Sequence, residues 1–425
     1  MLEIATIRDH FDRSVSGLIK RGIANAESLL SELLDLDRNR RETQTKLDST
    51  LAEANAKSKE IGRLIQAGKK EQTRQFKEET SALKNQAKEL QDKLNILVDK
   101  QQETLYNIPN IPNKNVPEGC SVEENEVVEE WGELPALHEG AVPHWDLIKR
   151  YDIIDFDLGN KVTGAGFPIY KGKGAKLVRA LANFCLDQAE AAGYQEIQPP
   201  VMVNETSGLA TGQLPDKEGQ MYAISDFNYY LIPTAEVPIT NIYRDTILEA
   251  SDLPVKNVGY TPCFRREAGS WGADVRGLNR LHQFDKVEIV QINHPEYSYQ
   301  ALNEMCKHVG SLLQQLKLPY RMINLCGGDL GFTSAQTFDF EVYAAGQDKW
   351  LEVSSVSNFE TYQTNRLKLR CRGKDKKNFL LHTLNGSALA IPRILAAILE
   401  NFQYQEGIRI PEVLVPYTGF DDITH

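Results

Sequence analysis

The stretch that decides the fold is residues 263–290, which read CFRREAGSWGADVRGLNRLHQFDKVEIV. Both ends of this stretch have the composition of β-strands, and we expect strands over 257–264 and 282–292. The loop between them, which includes 271–279, is rich in glycine and charge. The pattern therefore predicts a β-hairpin with a functional loop.

The charged and aromatic side chains of this hairpin fall on defined faces. Side chains alternate along a strand, so Arg265 and Glu267 should point the same way at the first strand end. On the returning strand, Phe284, Lys286 and Glu288 should share one face. An arginine can hold a phosphate, a glutamate can bind a base or ribose edge, and a phenylalanine can stack on a planar ring. A single Arg-x-Glu pair is also typical of a surface ion pair; the whole hairpin is the more specific signal.

Outward from the hairpin, short β-type runs alternate with a few helices. We expect a helix at 174–192, an extended run at 194–203, a strand pair at 338–343 and 351–359, and an apolar helix at 389–400. Pro199 and Pro200 place the extended run at a sheet edge or an interface, because proline cannot donate a ladder hydrogen bond. Strands paired over long sequence distances, with helices between them, predict an antiparallel α+β domain.

Two further groups of residues carry chemistry. Residues 382–393, HTLNGSALAIPR, place Arg393 in the first turns of a predicted helix, where it can face a phosphate. A capped helix with an uninvolved arginine is the alternative. Glu352-Val353-Ser354-Ser355 is predicted on a strand and Thr234-Ala235-Glu236 in a loop. Carboxylates near phosphate-binding arginines are the ordinary ligands of Mg²⁺.

The N-terminal quarter has a different pattern. After a short helix and a turn over the first 25 residues, apolar and small residues recur with 4-3 spacing from Leu29 to Ile65 and from Phe76 to Leu97. Gly68 separates the two runs, which predicts an antiparallel two-helix coiled coil. About 38 residues in each helix give a length of about 57 Å. By itself such an arm is more often a dimerisation or adaptor element than a nucleic-acid-binding one. An Asn- and Pro-rich linker at 107–119 follows.

Charge and composition narrow the function class. The net charge is −11, but residues 38–100 hold 15 Lys and Arg against 10 Asp and Glu, a local excess of +5. The six cysteines have no CxxC pair and no histidine spacing suited to zinc, so we expect reduced thiols and no zinc. We expect no secretory signal, because Met1-Leu2-Glu3-Ile4 precedes no apolar core, and no membrane span. The expected location is the cytoplasm.

Several sequence motifs resemble those of a known protein family. GYQEIQPPV at 193–201 looks like motif 1 of class II aminoacyl-tRNA synthetases, the hairpin resembles motif 2, and 385–393 resembles motif 3. The wordings TAE, CFRREAG, HQFDKVE, EVSS and TLNGSALA, with the arm and the linker, resemble bacterial-type seryl-tRNA synthetases. The sequence departs from the usual family motifs at Arg266, Ala388 and Ile391-Pro392, which lie beside the named site residues.

The resemblance implies both domains and function. Residues 1–106 are expected to be a tRNA-binding domain with its arm at about 27–105 and its tip near 66–70. Residues 107–119 are the linker and 120–425 the catalytic domain, with the three motifs at about 174–203, 257–292 and 382–400. The implied reaction attaches L-serine to tRNA(Ser) through a seryl-adenylate, with ATP as substrate and Mg²⁺ as the metal ion. The implied partners include tRNA(Sec), and the implied assembly is a homodimer with the Pro200 strand at its interface.

The resemblance also implies site residues. Arg265, Glu267 and Arg393 are expected to be catalytic. The expected ATP-binding residues are Arg265, Arg266, Glu267, Phe284, Glu352, Val353, Ser354, Ser355 and Arg393. The expected serine-binding residues are Thr234, Ala235, Glu236, Arg265, Glu288, Asn385 and Ser387. Glu352 and Ser355 are expected at the Mg²⁺–phosphate end, and Lys69 and Lys70 in tRNA binding.

Three rival interpretations fit the sequence less well. Class II enzymes for threonine and proline usually carry a further domain after motif 3, whereas 32 residues follow Arg393 here. Seryl-synthetase-like ligases that charge a carrier protein lack the long arm. A catalytically silent coiled-coil adaptor would normally have lost an arginine of motif 2 or motif 3, and Arg265 and Arg393 are both present.

Overall fold

The structure is a computed structural model that describes residues 1–267 and 276–424. The chain divides into two compact units. The arm unit comprises Leu2–Ile19 and Ile23–Pro109, and the body comprises Met1, Lys20–Gly22 and the chain from Asn110 onward. None of the described helices is long and apolar enough to cross a membrane.

The arm unit is helical throughout its length. Its helices are α1 (Ile4–Asp9), α2 (Phe11–Lys20), α3 (Ala26–Gln66) and α4 (Lys70–Tyr106). α3 and α4 have 41 and 37 residues, and a short turn at Gly68 reverses the chain with φ of +71°. The predicted antiparallel two-helix arm is therefore confirmed. The first 25 residues hold two helices, where one was expected.

The seam between α3 and α4 follows the predicted spacing on α4 and drifts on α3. Leu33 and Leu47 are buried as expected, but Leu51 and Ile65 are exposed, and Thr50 and Leu64 are buried in their place. The buried residues Leu47, Thr50, Ala54 and Leu64 keep the 3.5-residue average of a coiled-coil seam, whereas the predicted series takes an additional four-residue step from Leu47 to Leu51. The predicted seam positions Leu51 and Ile65 were wrong for this reason.

A buried carboxylate lies in the same seam. Asp37 accepts hydrogen bonds from Arg40 at 3.1 Å, Arg41 at 2.9 Å and Gln101 at 3.4 Å, and from Arg8 at 3.2 Å. Burial opposes ionisation of Asp37, but the hydrogen bonds from Arg40, Arg41 and Gln101 outweigh it and lower its pKa. Asp37 thus joins α1, α3 and α4 through a charged group.

The body is built on an eight-stranded sheet with the order β1-β11-β12-β13-β16-β10-β9-β4. All neighbours pair antiparallel except β4 and β9, which are parallel. The expected antiparallel α+β fold is confirmed. The strands of this sheet are β1 (Glu126–Trp131), β4 (Gln195–Glu196), β9 (Val255–Phe264), β10 (Gln283–Asn293), β11 (Tyr320–Asn324), β12 (Gln336–Ala344), β13 (Lys349–Glu360) and β16 (His382–Ala390).

Four small sheets complete the described strands. They contain β2 (Ile154–Asp155) with β3 (Ile169–Tyr170); β5 (Met202–Asn204), β7 (Tyr229–Leu231) and β6 (Tyr222–Ile224); β15 (Asn378–Leu380), β14 (Arg370–Arg372) and β8 (Ile247–Glu249); and β17 (Ile408–Arg409) with β18 (Asp422–Ile423). The expected extended run at 194–203 is two short strands in different sheets, β4 at the edge of the large sheet and β5.

Three long helices cover one face of the large sheet and form the main core with it. They are α7 (Gly172–Ala191), α10 (Ser298–Gln315) and α12 (Ile391–Asn401). The shorter helices are α5 (His144–Arg150), α6 (Phe156–Val162), α8 (Glu205–Thr211), α9 (Glu236–Asn241), α11 (Tyr362–Leu367) and α13 (Val415–Thr418). The helix expected from residue 389 begins at Ile391, because β16 continues through Ala390 and Pro392 occupies the first helical turn.

Candidate active site

A cavity of about 500 Å³ opens on the body, floored by β10, β13 and β16. It brings together residues that are far apart in the sequence. The predicted site residues that line it are Thr234, Glu236, Arg265, Glu267, Phe284, Glu288, Glu352, Val353, Ser354, Ser355, Asn385, Ser387 and Arg393. The role of each residue remains a prediction, and the structure adds that these residues line one cavity.

The hairpin of β9 and β10 supplies one end of the cavity. The strands pair from Phe264 opposite Gln283, and the Arg265 amide continues the pairing by donating to the His282 carbonyl at 2.9 Å. The Arg265 guanidinium carbon lies 5.3 Å from the centroid of the Phe284 ring, and its Nε donates to the Pro233 carbonyl at 3.4 Å. At this end, therefore, the Arg265 cation lies over the face of the Phe284 ring.

Glu267 reaches the cavity by a route that strand alternation did not predict. β9 ends at Phe264, and Glu267 has φ of +47°, in the left-handed region. Its amide donates to Gln220 Oε1 at 3.1 Å, and Arg280 donates to its carboxylate at 2.9 Å. Arg265 and Glu267 both line the cavity, as expected, but a turn held by Gln220 and Arg280, and not strand alternation, places the Glu267 carboxylate.

The opposite end of the cavity is polar and almost wholly buried. Lys286 Nζ lies 2.6 Å from Glu288 and donates to Thr234 Oγ1 at 3.0 Å. Glu288 also accepts from Asn385 at 2.8 Å and from Ser387 at 3.4 Å. The alternation predicted along β10 is confirmed, because Phe284, Lys286 and Glu288 all line the cavity.

Glu236 completes the polar end and titrates unusually. It is 5% exposed and accepts from Gln363 Nε2 at 2.5 Å. Burial, together with the negative charge of Glu288, raises the pKa of Glu236 to about 7, against the lowering effects of Gln363, Lys286 and Arg265. A cationic ligand would stabilise the ionised form of this buried carboxylate, because its charge replaces the solvation that burial removes.

The side of the cavity between these two ends is formed by β13 and the start of α12. Ser355 donates to Asp339 at 2.5 Å, and burial, followed by the charge of Glu352, raises the pKa of Asp339 well above its ordinary value. Arg393 donates through Nη1 to the Glu352 carbonyl at 2.6 Å and lies 3.7 Å from its carboxylate. The wall thus presents a fixed cation beside carboxylates and a hydroxyl.

Four predicted site residues lie elsewhere. Ala235 is fully buried in an apolar cluster with Ile239 and Val290, so its side chain lies outside the cavity. Arg266 does not line the cavity, although its amide donates to the Gln220 carbonyl at 2.9 Å. Lys69 and Lys70 are exposed at the turn of the arm unit. The part of the predicted loop at 268–275 lies outside the described residues.

Sequence reasoning missed several lining residues. The main ones are Gln213, Glu218, Gln220, Asn279, Arg280, Lys286, Gly331, Ser357 and Phe359. Lys286 was visible on the predicted face of β10 but was assigned no role. Gln220 and Arg280 belong to irregular segments, where no periodicity indicates which side chains turn inward.

Comparisons with known proteins point in one direction. The sequence model described as the seryl-tRNA synthetase N-terminal domain matches residues 1–112. The one described as the tRNA synthetase class II core domain (G, H, P, S and T) matches residues 222–402. The serine–tRNA ligase of Salinibacter ruber is 48% identical over 99% of this chain and 98% of its own length. That of Akkermansia muciniphila is 46% identical over 100% and 99%.

A solved structure agrees with these relatives. The crystal structure of seryl-tRNA synthetase from Pyrococcus horikoshii complexed with ATP is similar to this chain with a TM-score of 0.89 and 33% identity. The match covers 100% of this chain and 99% of that one. The similarity therefore extends over the arm unit and the body alike.

Proposed function

This chain belongs to the seryl-tRNA synthetase family and is a serine–tRNA ligase, and from that premise we propose that it activates L-serine with ATP and transfers the seryl group to tRNA(Ser). In the first step a serine carboxylate oxygen bonds to the α-phosphorus of ATP, the bond to the β-phosphate oxygen breaks, and pyrophosphate leaves. In the second step a terminal ribose hydroxyl of the tRNA attacks the seryl carbonyl carbon, the bond from that carbon to the phosphate oxygen breaks, AMP leaves, and the hydroxyl proton passes to solvent.

The first step needs no side-chain base, because the serine carboxylate is already ionised at neutral pH. Catalysis then rests on aligning the carboxylate with the phosphorus and on neutralising charge on the phosphates. The cavity suits this chemistry, since it offers arginines, carboxylates and an aromatic ring. Its lining includes no cysteine or histidine, so no Cys-His or Ser-His pair lies among the residues described there.

ATP is assigned to the side of the cavity between the hairpin and Arg393. Phe284 stacks on the adenine, and Glu267, held by Arg280, accepts from the adenine amino group. Arg265 holds the α-phosphate and Arg393 the γ-phosphate of a bent nucleotide. The support is that both guanidinium groups are anchored by backbone carbonyls, which fixes their direction before the nucleotide arrives.

Serine is assigned to the buried polar end. The Glu236 carboxylate and Thr234 Oγ1 bind the ammonium group, and Glu288, Asn385 and Ser387 lie near the hydroxyl. If alanine occupied this end, buried polar groups would lose a partner, which rejects it strongly. The pKa of about 7 at Glu236 supports the assignment, because an acid so poised is ionised by a cationic ligand.

Mg²⁺ fits beside the phosphates rather than in a cage of side chains. Within residues 1–267 and 276–424, no group of three or more His, Cys, Asp or Glu residues could hold a metal ion. Glu352 and Ser355 line the cavity and would offer oxygen ligands to the ion, which would take its remaining ligands from phosphates and water. The ion, when bound, neutralises negative charge on the phosphates.

The arm is assigned to tRNA. Its charge excess and the exposed Lys69 and Lys70 at its turn suit contact with the phosphates of a long, folded RNA segment. We extend the substrate to tRNA(Sec), on the family resemblance. The same resemblance supports a cytoplasmic homodimer with the Pro200 strand at its interface. Gel filtration with light scattering tests the dimer: a monomer of 47.9 kDa that retains activity contradicts it.

The observation that carries the proposal is the meeting, in one cavity, of Arg265, Glu236, Glu352 and Arg393. The test is serine-dependent exchange of ³²P between pyrophosphate and ATP without tRNA. Alanine, threonine and cysteine serve as control amino acids. Exchange that requires serine supports the proposal. Absence of exchange with every amino acid refutes it and favours a silent adaptor.

A further inference from the structure

His144, at the start of α5, is wholly buried under the returning leg of the hairpin loop, residues 276–280. The backbone N–H of Leu278 donates to His144 Nε2 at 2.9 Å. An amide nitrogen can only donate, so Nε2 carries no proton. Nδ1 lies 2.7 Å from Glu400 Oε1 and therefore holds the ring proton and donates it to the carboxylate. The backbone thus selects one neutral tautomer.

The loop approaches the imidazole closely. Gly277 has φ of +67°, and a Cβ at this position would lie 2.2 Å from His144 Nε2. Beside it, the Arg276 guanidinium carbon lies 4.6 Å from the centroid of the Trp145 ring. The sequence His144-Trp145 therefore forms a platform on which the returning leg of the loop rests.

Glu400 extends the platform into a closed network. It is wholly buried on α12 and accepts from the His144 amide at 2.9 Å and from Gln347 Nε2 at 2.8 Å. Gln347 Oε1 in turn accepts from Asn279 Nδ2 at 2.8 Å. The Asn279 carbonyl accepts from Arg393 Nε at 2.9 Å, and Arg393 lies on the same helix as Glu400. The network runs from α12 through the loop and back to α12.

We propose that His144, as a neutral imidazole held by Glu400, is a positioning residue that fixes the loop leg 276–280 and, through the Asn279 carbonyl, the guanidinium of Arg393. The inference rests on the proposed function, in which Arg393 holds the γ-phosphate and Arg280 holds Glu267 against the adenine. His144 does not line the cavity. Its effect is therefore on the ATP side, while the serine end, built from Thr234 and Glu236, is untouched.

Two substitutions separate the two halves of the imidazole. In His144→Gln the amide oxygen lies near the position of Nε2 and can still accept from Leu278. In His144→Asn the amide lies near the position of Nδ1 and can still donate to Glu400, but the Leu278 amide loses its acceptor. A buried amide without a partner disfavours the bound loop geometry, so we expect kcat/KM for ATP to fall on the order of tenfold more in His144→Asn than in His144→Gln.

The assay is serine-dependent ATP–pyrophosphate exchange at varied ATP and varied serine, with thermal unfolding measured on each purified variant. Both His144 variants should keep a serine KM within about twofold of wild type. Gly277→Ala should raise the ATP KM in the same way without altering His144. His308→Asn, which changes another largely buried histidine outside the cavity lining, is the matched control and should leave the ATP KM unchanged.

The possible outcomes are distinct. Equal ATP kinetics in His144→Gln and His144→Asn, or losses that follow the unfolding temperature in all variants, overturn the inference. If both His144 variants fail to fold, an unchanged ATP KM in Gly277→Ala overturns it alone. Wild-type protein without serine-dependent exchange would instead refute the proposed function, which leaves the two failures distinguishable.

Discussion

The pKa of Glu236 predicts how serine affinity depends on pH. Its carboxyl is protonated in the empty cavity below pH 7 and ionised above it, since its pKa is about 7. The serine ammonium binds the ionised form, so binding at pH 6 must first remove a proton. At pH 6 about one-tenth of the carboxyl is ionised, and at pH 8 about nine-tenths. We therefore expect the serine KM to be about tenfold higher at pH 6 than at pH 8.

The assay is ATP–pyrophosphate exchange at saturating ATP, with serine varied at half-unit steps from pH 6 to pH 8. Glu236→Gln is the matched variant: its amide keeps the size and one oxygen acceptor toward Gln363, but cannot ionise. It should have a high serine KM that does not change over this range. A flat serine KM in wild type, or a wild-type slope that survives in Glu236→Gln, would refute the assignment of Glu236 to the ammonium group.

Three further predictions concern the metal, the arm and its base. Glu352→Gln should raise the Mg²⁺ concentration needed for half-maximal exchange by about tenfold, because one charged oxygen ligand is lost; an unchanged Mg²⁺ titration contradicts the assignment. Replacing Lys69 and Lys70 together by alanine should leave exchange intact and raise the KM for tRNA, with a shallower dependence of tRNA affinity on salt. Equal salt slopes for the two proteins would exclude phosphate contacts at these lysines. Asp37→Ala should lower the free energy of unfolding of the arm unit by about 1–3 kcal/mol, because it leaves several donors without their acceptor. Circular dichroism melting measures this effect. An unchanged melting transition would show that water solvates Arg8, Arg40 and Arg41 in the variant as well as Asp37 does in the wild type.

Regular elements were largely predictable from sequence because their periodicity is local. The alternation of Phe284, Lys286 and Glu288 placed three side chains in the cavity with no knowledge of the fold. The same reasoning failed at Glu267, where the strand has ended and a left-handed residue turns the chain. It also failed at the start of α12. Small and polar residues such as Asn385, Gly386 and Ser387 are compatible with a loop as well as with a strand, and in the structure β16 continues to Ala390.

Contacts between distant segments were beyond sequence reasoning. Gln220 supports Glu267 across 47 positions, and Glu400 supports His144 across 256. Neither partner belongs to a pattern that marks it, because the geometry exists only after the sheet and α12 have assembled. The seam of α3 shows a third limit: Thr50 rather than Leu51 occupies the seam, because burial there follows the 3.5-residue average of the coiled coil and not the hydrophobicity of the side chain.

The threonines of the arm seam have a mechanical consequence. Near the root of the arm, Leu30, Leu33 and Leu94 are buried, whereas Thr50, Thr73 and Thr80 are buried toward the turn. These three hydroxyls donate to carbonyls of their own helix, so they add nothing across the seam. Toward the turn the two helices are held instead by the buried Ala54 and Leu64 and by an ion pair between Lys57 of α3 and Glu79 of α4 at 2.6 Å. Because salt screens a partly exposed ion pair, cohesion in the outer half of the arm depends on ionic strength.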